Sequence, residues 1–425
     1  MDKKVVQNFG ALVRRQVDKN PRYANKLLRA AFGFVGAQSR FFPSKQYLPS
    51  REYLLSVCNR MVARSLNPKT SSGIVNVFLP CELLHAMKVE PAFPEGTAVY
   101  FAASACDRAF VSVAERHGIP DSLCSYHKIL VGAAESGILS KPRFIAHSTL
   151  VCDANQLTFR RLQQYYDVPR FCLDIPNSFE EGSVNYVANQ LRSLERFLAE
   201  VTGSAPDKYA LQEAACRSRE TIKNYREYLT LRADRSIPPD MTGEMLPLFA
   251  LHVLLGTRES LRYSQLLLED MLALPPHRSG KKRIIWLHTL PNWQKSLVDL
   301  LDKSNVEICV SDLTLSGLID PDPDTPYESM AKRVLYNTLN GSANRRIDKA
   351  LEYAELLHAD GIVYFNHWGC KNTLGASQQA KEHFERNGFP TLVLDGDGCD
   401  SGNAGEGQMI TRLQAFFERL EGKTL

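Results

Sequence analysis

Apolar residues recur at spacings of three and four from about residue 8 to residue 68, in ALVRRQV, YANKLLRAAFGFV and REYLLSVCNRMVARSL. That period predicts a helical entry segment. Beyond it the pattern changes to short β-branched or aromatic runs set between helical stretches: VNVFL (75–79), AVYFAAS (98–104), RFIAHSTLV (143–151) and RFCLDI (170–175). Such alternation predicts a parallel sheet built from right-handed crossovers. A long helical region, with NQLRSLERFLAEV, TIKNYREYLTLRA and SQLLLEDMLAL, then runs from Ser178 to about Leu274. PPHRSGKK (275–282) reads as a linker. The alternation resumes in RIIWLHTL (283–290), VEICVSDL (306–313), GIVYFNHW (361–368) and TLVLDGDG (391–398). The expected organisation is α/β: a helical segment 1–70, a first α/β domain 71–177, a helical region 178–278 and a second α/β domain 279–425. The two halves share an order of elements without an obvious sequence repeat.

Charge and composition narrow the function classes. A net charge of +4 spread over 425 residues is too small and too dispersed for a nucleic-acid footprint, and the longest basic run is Lys281-Lys282-Arg283. No stretch approaches the eighteen apolar residues of a membrane span, and the first residues carry no apolar core of signal-peptide length. The expectation is a cytoplasmic protein with no membrane partner. In that reducing setting the 10 cysteines are not expected to form structural disulfides, so cysteines in unusual positions become candidates for metal ligation or catalysis.

In open parallel sheets, ligands bind beyond the carboxyl ends of the strands. Cys152 ends RFIAHSTLVC and precedes a predicted helix starting near Asp153; Cys370 follows GIVYFNHWG, where Gly369 lets the chain turn tightly. Cys124, in GIPDSLCSYHKILVGAAESG, follows a proline-marked loop at the start of a predicted helix, where N–H groups and the helix dipole favour a thiolate. Thiolates at helix N-termini suit an anionic iron–sulfur cluster. Against this stands the ordinary fate of a cysteine as a small buried apolar residue. Separations of 28 and 218 residues match no local metal motif, so spacing alone does not establish a site.

The passages FLPCELLHAMKVEP (78–91), LCSYHKILVGAAESGIL (123–139), PRFIAHSTLVCDANQL (142–157), DGIVYFNHWGCKNTLG (360–375) and FPTLVLDGDGCDSGNAGEGQMITRLQAFFE (389–418) resemble the 2-hydroxyacyl-CoA dehydratase and benzoyl-CoA reductase family. The likeness spans residues 73–420 and leaves the first 70 residues uncovered. It implies two flavodoxin-like (Rossmann-like) domains with a helical part. It also implies one four-iron four-sulfur cluster between them, held by Cys124, Cys152 and Cys370 with one iron open to substrate. Implied partners are a homologous second subunit or a second copy of this chain, an ATP-dependent iron–sulfur activator that injects one electron, and an acyl-CoA substrate. The implied reaction is dehydration of a 2-hydroxyacyl-CoA through a ketyl radical, because the β-hydrogen of such a thioester is not acidic enough for simple base catalysis.

The same resemblance assigns Glu82, in PCELLHA, to proton transfer or hydroxyl binding; otherwise it reads as a first-turn glutamate stabilising a helix N-terminus. His127 and His367 stand three residues from cluster cysteines and become candidate donors to a cluster sulfur or a substrate oxygen, or else solvated or core histidines. Cys81, Cys106 and Cys399 also fall near predicted strand ends, but a single cluster is favoured; Cys58, Cys172, Cys216 and Cys309 read as core. The loop DGDGCDSGNAGEG (395–407) lacks a nucleotide-binding signature and reads as a flexible loop. Two further readings stay open: an ATP-driven benzoyl-CoA-type reductase and a non-catalytic electron-relay sister subunit.

Overall fold

The computed structural model describes residues 3–205 and 207–422. The entry segment forms three helices, Lys3–Val17, Pro21–Phe41 and Pro49–Ser65. Asn20 caps the second by accepting the Tyr23 N–H at 3.0 Å, and Pro21 begins it where its missing N–H costs nothing. Its buried stripe of Ala24, Leu28 and Phe32 follows the helical period seen in the sequence.

Two four-stranded parallel sheets follow. The first contains β1 (Ser72–Val75), β2 (Glu90–Ala92), β3 (Phe144–Ser148) and β4 (Arg170–Leu173) in the order β2-β1-β3-β4. The second contains β5 (Lys282–Leu287), β6 (Val306–Ser311), β7 (Gly361–His367) and β8 (Thr391–Gly396) in the equivalent order β6-β5-β7-β8. The expected pair of flavodoxin-like halves is therefore present. In each sheet the chain reverses its winding direction between the two central strands, and the crevice at their carboxyl ends is where such folds bind ligands.

Two expected strands are elsewhere. AVYFAAS (98–104) is mostly the second half of the helix Pro94–Ala103. A short, mostly apolar run shows neither a clear helical nor a clear strand period, and Pro94 with a stretch rich in alanine settles the helix. Its place in the sheet is taken by the three-residue β2. VNVFL (75–79) likewise begins where β1 ends; Asn76 leaves the ladder to bond Ser148, accepting its N–H at 3.0 Å and approaching its hydroxyl at 3.3 Å.

The middle helices Ser183–Thr202, Lys208–Arg232 and Arg258–Ala273 bind the two sheets into one core, in which Leu194 and Tyr225 share a cluster with Val75 and Ile285. Polar ties reinforce it. Arg283 on β5 donates to the carbonyls of Arg232 and Ala233 at 2.6 and 2.8 Å, satisfying the end of the long helix, and Arg232 donates to Ile308 on β6 at 2.9 Å. Glu82, at the head of the short helix Glu82–Ala86, makes a two-point ion pair with Arg333 on the helix Pro326–Leu335 of the second domain and accepts from the Ser218 hydroxyl. Among the described residues no helix is long and apolar enough to cross a membrane.

Both members of the Glu82–Arg333 pair are buried, so removing one strands the other. Arg333→Ala should lower unfolding free energy by about 3–5 kcal/mol in urea titration, and replacing both residues by leucine should cost distinctly less. Equal losses from the single and double changes would show that the pair does not act as a unit.

Candidate functional site

Three cysteines line one cavity of about 840 Å³ between the sheet rims. Cys152 and Cys370 stand a few residues past β3 and β7, at the heads of the helices Asp153–Tyr166 and Lys371–Leu374. Cys124 heads the helix Ser125–Glu135. The N–H groups of Tyr126 and His127 favour a thiolate at Cys124, as those of Asn155 and Ala154 do at Cys152.

One glycine brings the rims together. Gly369 has φ +78°, and a Cβ there would lie 2.5 Å from the Cys124 nitrogen and 2.8 Å from its Cα. The residue beside Cys370 therefore rests directly on the backbone of Cys124, across the domain boundary. The adjoining Ser125 donates to Asp397 beyond β8; the same Asp397 oxygen also accepts the N–H groups of Cys399 and Asp400 at 2.9 Å. Asp400 pairs with Arg108 at 3.0 Å. The loop 395–407, expected to be flexible, is thus pinned at its first half to the opposite domain.

Each cysteine faces one histidine: Cys124 Sγ lies 3.2 Å from His367 Nε2, Cys152 Sγ 3.3 Å from His127 Nε2, and Cys370 Sγ 3.7 Å from His288 Nε2. Their other ring nitrogens fix the protons. His367 Nδ1 accepts the Gly398 N–H at 3.0 Å, so a neutral ring carries its proton on Nε2 and donates to Cys124. Thr158 spends its own hydroxyl proton on the Ala154 carbonyl at 2.8 Å and accepts from His127 Nδ1 at 2.9 Å, leaving His127 Nε2 to accept from the Cys152 thiol. Burial keeps the rings uncharged: it pushes His127 down to about 4 and holds His367 and His288 below the ordinary imidazole range. Burial also pushes Cys152 up to about 12, with the Cys370 and Glu95 charges adding to it, and raises Cys124, helped by Cys370 and Cys152. Ionising all three thiols together needs a compensating cation. Among the described residues no three His, Cys, Asp or Glu side chains form a group able to hold a single metal ion.

The cavity also collects residues that the sequence pattern did not single out. His288 follows β5 directly, but RIIWLHTL reads as one unbroken strand and hides the rim position. Its backbone stands at φ +76°, with its N–H donated to Asp312 at 2.7 Å. Arg346 pairs with Asp312 and donates to Asn372 at 2.7 Å, while its Nη2 is buried without a partner. Glu95 faces the cavity from the helix after β2; its Oε2 is buried and unpartnered, and burial pushes its carboxyl up to about 8. Glu82, by contrast, is not brought to the cavity. Its helix packs on Lys208–Arg232, and Arg333 holds its carboxylate below the usual range against the desolvation that would raise it. Cys81, Cys106 and Cys399 point into apolar cores away from the cavity lining.

Two measurements probe this geometry. Gly369→Ala should cost about 1–3 kcal/mol of stability, since a side chain there meets both a left-handed φ and the Cys124 backbone; an unchanged denaturation midpoint would contradict the close contact. For Glu95, the folded chain keeps a proton up to about pH 8 that the unfolded chain loses near its ordinary value of 4.5. In that window the native state binds more protons, so stability falls as pH rises, by about 1.4 kcal/mol per unit from this group. Glu95→Gln should flatten that slope, and parallel curves for the two proteins would rule out a buried acid.

The family model "2-hydroxyglutaryl-CoA dehydratase, D-component" matches residues 76–420. The chain is 21% identical over 368 residues to the (R)-phenyllactyl-CoA dehydratase alpha subunit of Clostridium sporogenes, covering 81% of this chain and 88% of that one. It is 22% identical over 368 residues to the (R)-2-hydroxyisocaproyl-CoA dehydratase alpha subunit of Clostridioides difficile, covering 80% and 88%. The (R)-phenyllactyl-CoA dehydratase beta subunit of C. sporogenes is 25% identical over 161 residues, or 36% of this chain and 42% of that one. With its two parallel-sheet domains and a match spanning most of its length, the chain belongs to the 2-hydroxyglutaryl-CoA dehydratase D-component family.

Proposed function

We propose that this chain is the alpha-type, iron–sulfur subunit of a cytoplasmic 2-hydroxyacyl-CoA dehydratase, a hydro-lyase working with a homologous second subunit and an ATP-dependent activator. The observation that carries the reading is the convergence of Cys124, Cys152 and Cys370, from two domains, on one cavity. These thiols would hold a four-iron four-sulfur cluster: they line one cavity, Cys370 and Cys152 stand near enough to Cys124 for their charges to act on it, and N–H groups at two of the three helix heads are turned to the sulfurs. When bound, such a cluster supplies a low-potential electron and a Lewis-acidic iron for a thioester or hydroxyl oxygen.

The remaining chemistry falls to the chain's own side chains. His367 donates its Nε2 proton toward the Cys124 sulfur, which lowers electron density there. Arg346 offers a buried, unpartnered N–H to an oxygen in the cavity. Loss of the α-hydroxyl as water needs a proton delivered to the departing oxygen, and removal of the β-hydrogen needs a base. Glu95 suits both in turn: neutral at pH 7, it would give its proton to the hydroxyl leaving the one-electron-reduced thioester, and the resulting carboxylate would take the β-proton that loss of the hydroxyl has made acidic, after which the added electron is given up and the overall dehydration is redox-neutral.

Anaerobic purification should give a brown protein with about four irons per chain, and Cys124→Ala, Cys152→Ala or Cys370→Ala should each lose most of that iron. With activator, partner subunit, ATP and reductant, Glu95→Gln should retain iron but lose roughly 100-fold in kcat. Iron-free wild-type protein would remove the cluster, and full activity in Glu95→Gln would move the chemistry to the partner subunit.

A further inference from the structure

The three entry helices lie outside residues 76–420, the stretch that matches the family, yet they build much of the cavity lining. Val5, Phe9, Phe32, Val35 and Leu55 line the same space as the three cysteines, and Phe249 joins them from the middle region. The wall is apolar on the first two of these helices, while the third adds Arg51 and Asn59 beside Leu55. Its charges are already matched: Arg51 is paired with Glu52 and Asp240, Arg346 with Asp312, and Lys371 with Asp153. Among the described lining residues these are the cations, and each has its carboxylate. The remaining carboxyl, Glu95, has no cation beside it and so brings no positive charge to the wall.

From this lining we infer that the site selects 2-hydroxyacyl thioesters with an apolar side chain, branched aliphatic or aromatic, and rejects those ending in a carboxylate; the inference rests on the dehydratase reading and specifies its substrate. A side-chain carboxylate placed against the entry-helix wall would shed its water with no unpaired cation there to meet it, the spare N–H of Arg346 belonging to the second domain and, in the proposed reaction, to the thioester oxygen; that costs more than the contacts return. A branched or aromatic side chain instead covers the exposed faces of Val35 and Leu55 and displaces water from apolar surface. A volume of about 840 Å³ leaves room for such a group beside the thioester, whereas a methyl side chain would leave the entry helices untouched.

Calorimetric titration of the anaerobically isolated complex, with activator omitted so that nothing turns over, separates this inference from the reaction itself. 2-Hydroxyisocaproyl-CoA and phenyllactyl-CoA should bind at least about tenfold more tightly than 2-hydroxyglutaryl-CoA. Val35→Lys, or Phe34→Lys at the exposed mouth should the first fail to fold, should narrow or reverse that ratio by supplying a cation. Equal or tighter binding of 2-hydroxyglutaryl-CoA, or a lysine variant that shifts all esters alike, would overturn the apolar-wall assignment. Preferential binding of the apolar esters without dehydration of any ester once activator is added would leave the wall standing and sink the dehydratase reading.

Discussion

The site exists because two separately folded sheet rims are held within van der Waals reach of each other. Neither domain supplies the three cavity cysteines alone: Cys124 and Cys152 belong to the first sheet's half and Cys370 to the second's. The approach is set by Gly369 lying on the Cys124 backbone, a contact that any Cβ would push apart. Asp397 then ties the residue next to Cys124 to the loop after β8, and the Glu82–Arg333 pair and the Arg283–helix contacts fix the same relation from further off. Polar ties across an apolar core are costly to leave half made, so they specify one relative placement of the domains more sharply than apolar packing alone.

That placement explains the electrostatics. The Cys124 and Cys152 thiols, the three imidazoles and the Glu95 acid sit together in their neutral forms, each displaced from its ordinary titration range chiefly by desolvation. The hydrogen-bond directions are set by groups outside the cavity: the Gly398 N–H decides that His367 donates, and Thr158 decides that His127 accepts. A chamber lined by neutral groups strengthens any charge placed in it, which would suit the one-electron chemistry proposed for it.

Much of the architecture was legible in the sequence, because strand and helix periods and the linker at 275–282 are local properties. Cys152 and Cys370 could be placed by the rule that ligands gather at strand carboxyl ends. Cys124 could not, since two helices separate it from the preceding strand; a proline-marked loop at a predicted helix start singled it out, and the family likeness joined it to the other two. Glu82 shows the limit of local reasoning: the first-turn position is as expected, but which way the carboxylate faces depends on Arg333, 251 residues away. Glu95 was hidden for a related reason, because AVYFAAS reads as a strand and the helix that presents the acid was not foreseen.

Val151 and His288 stand at φ +71° and +76°, immediately before Cys152 and at the head of the second rim. A β-branched residue in that region is strained, and glycine would relax it. Selection for sturdiness alone would have placed glycine there. The chain instead keeps a stiff, unfavourable backbone at the Val151 bend, so the direction of the Cys152 side chain is set by the surrounding fold and the chamber holds its shape at some thermodynamic expense.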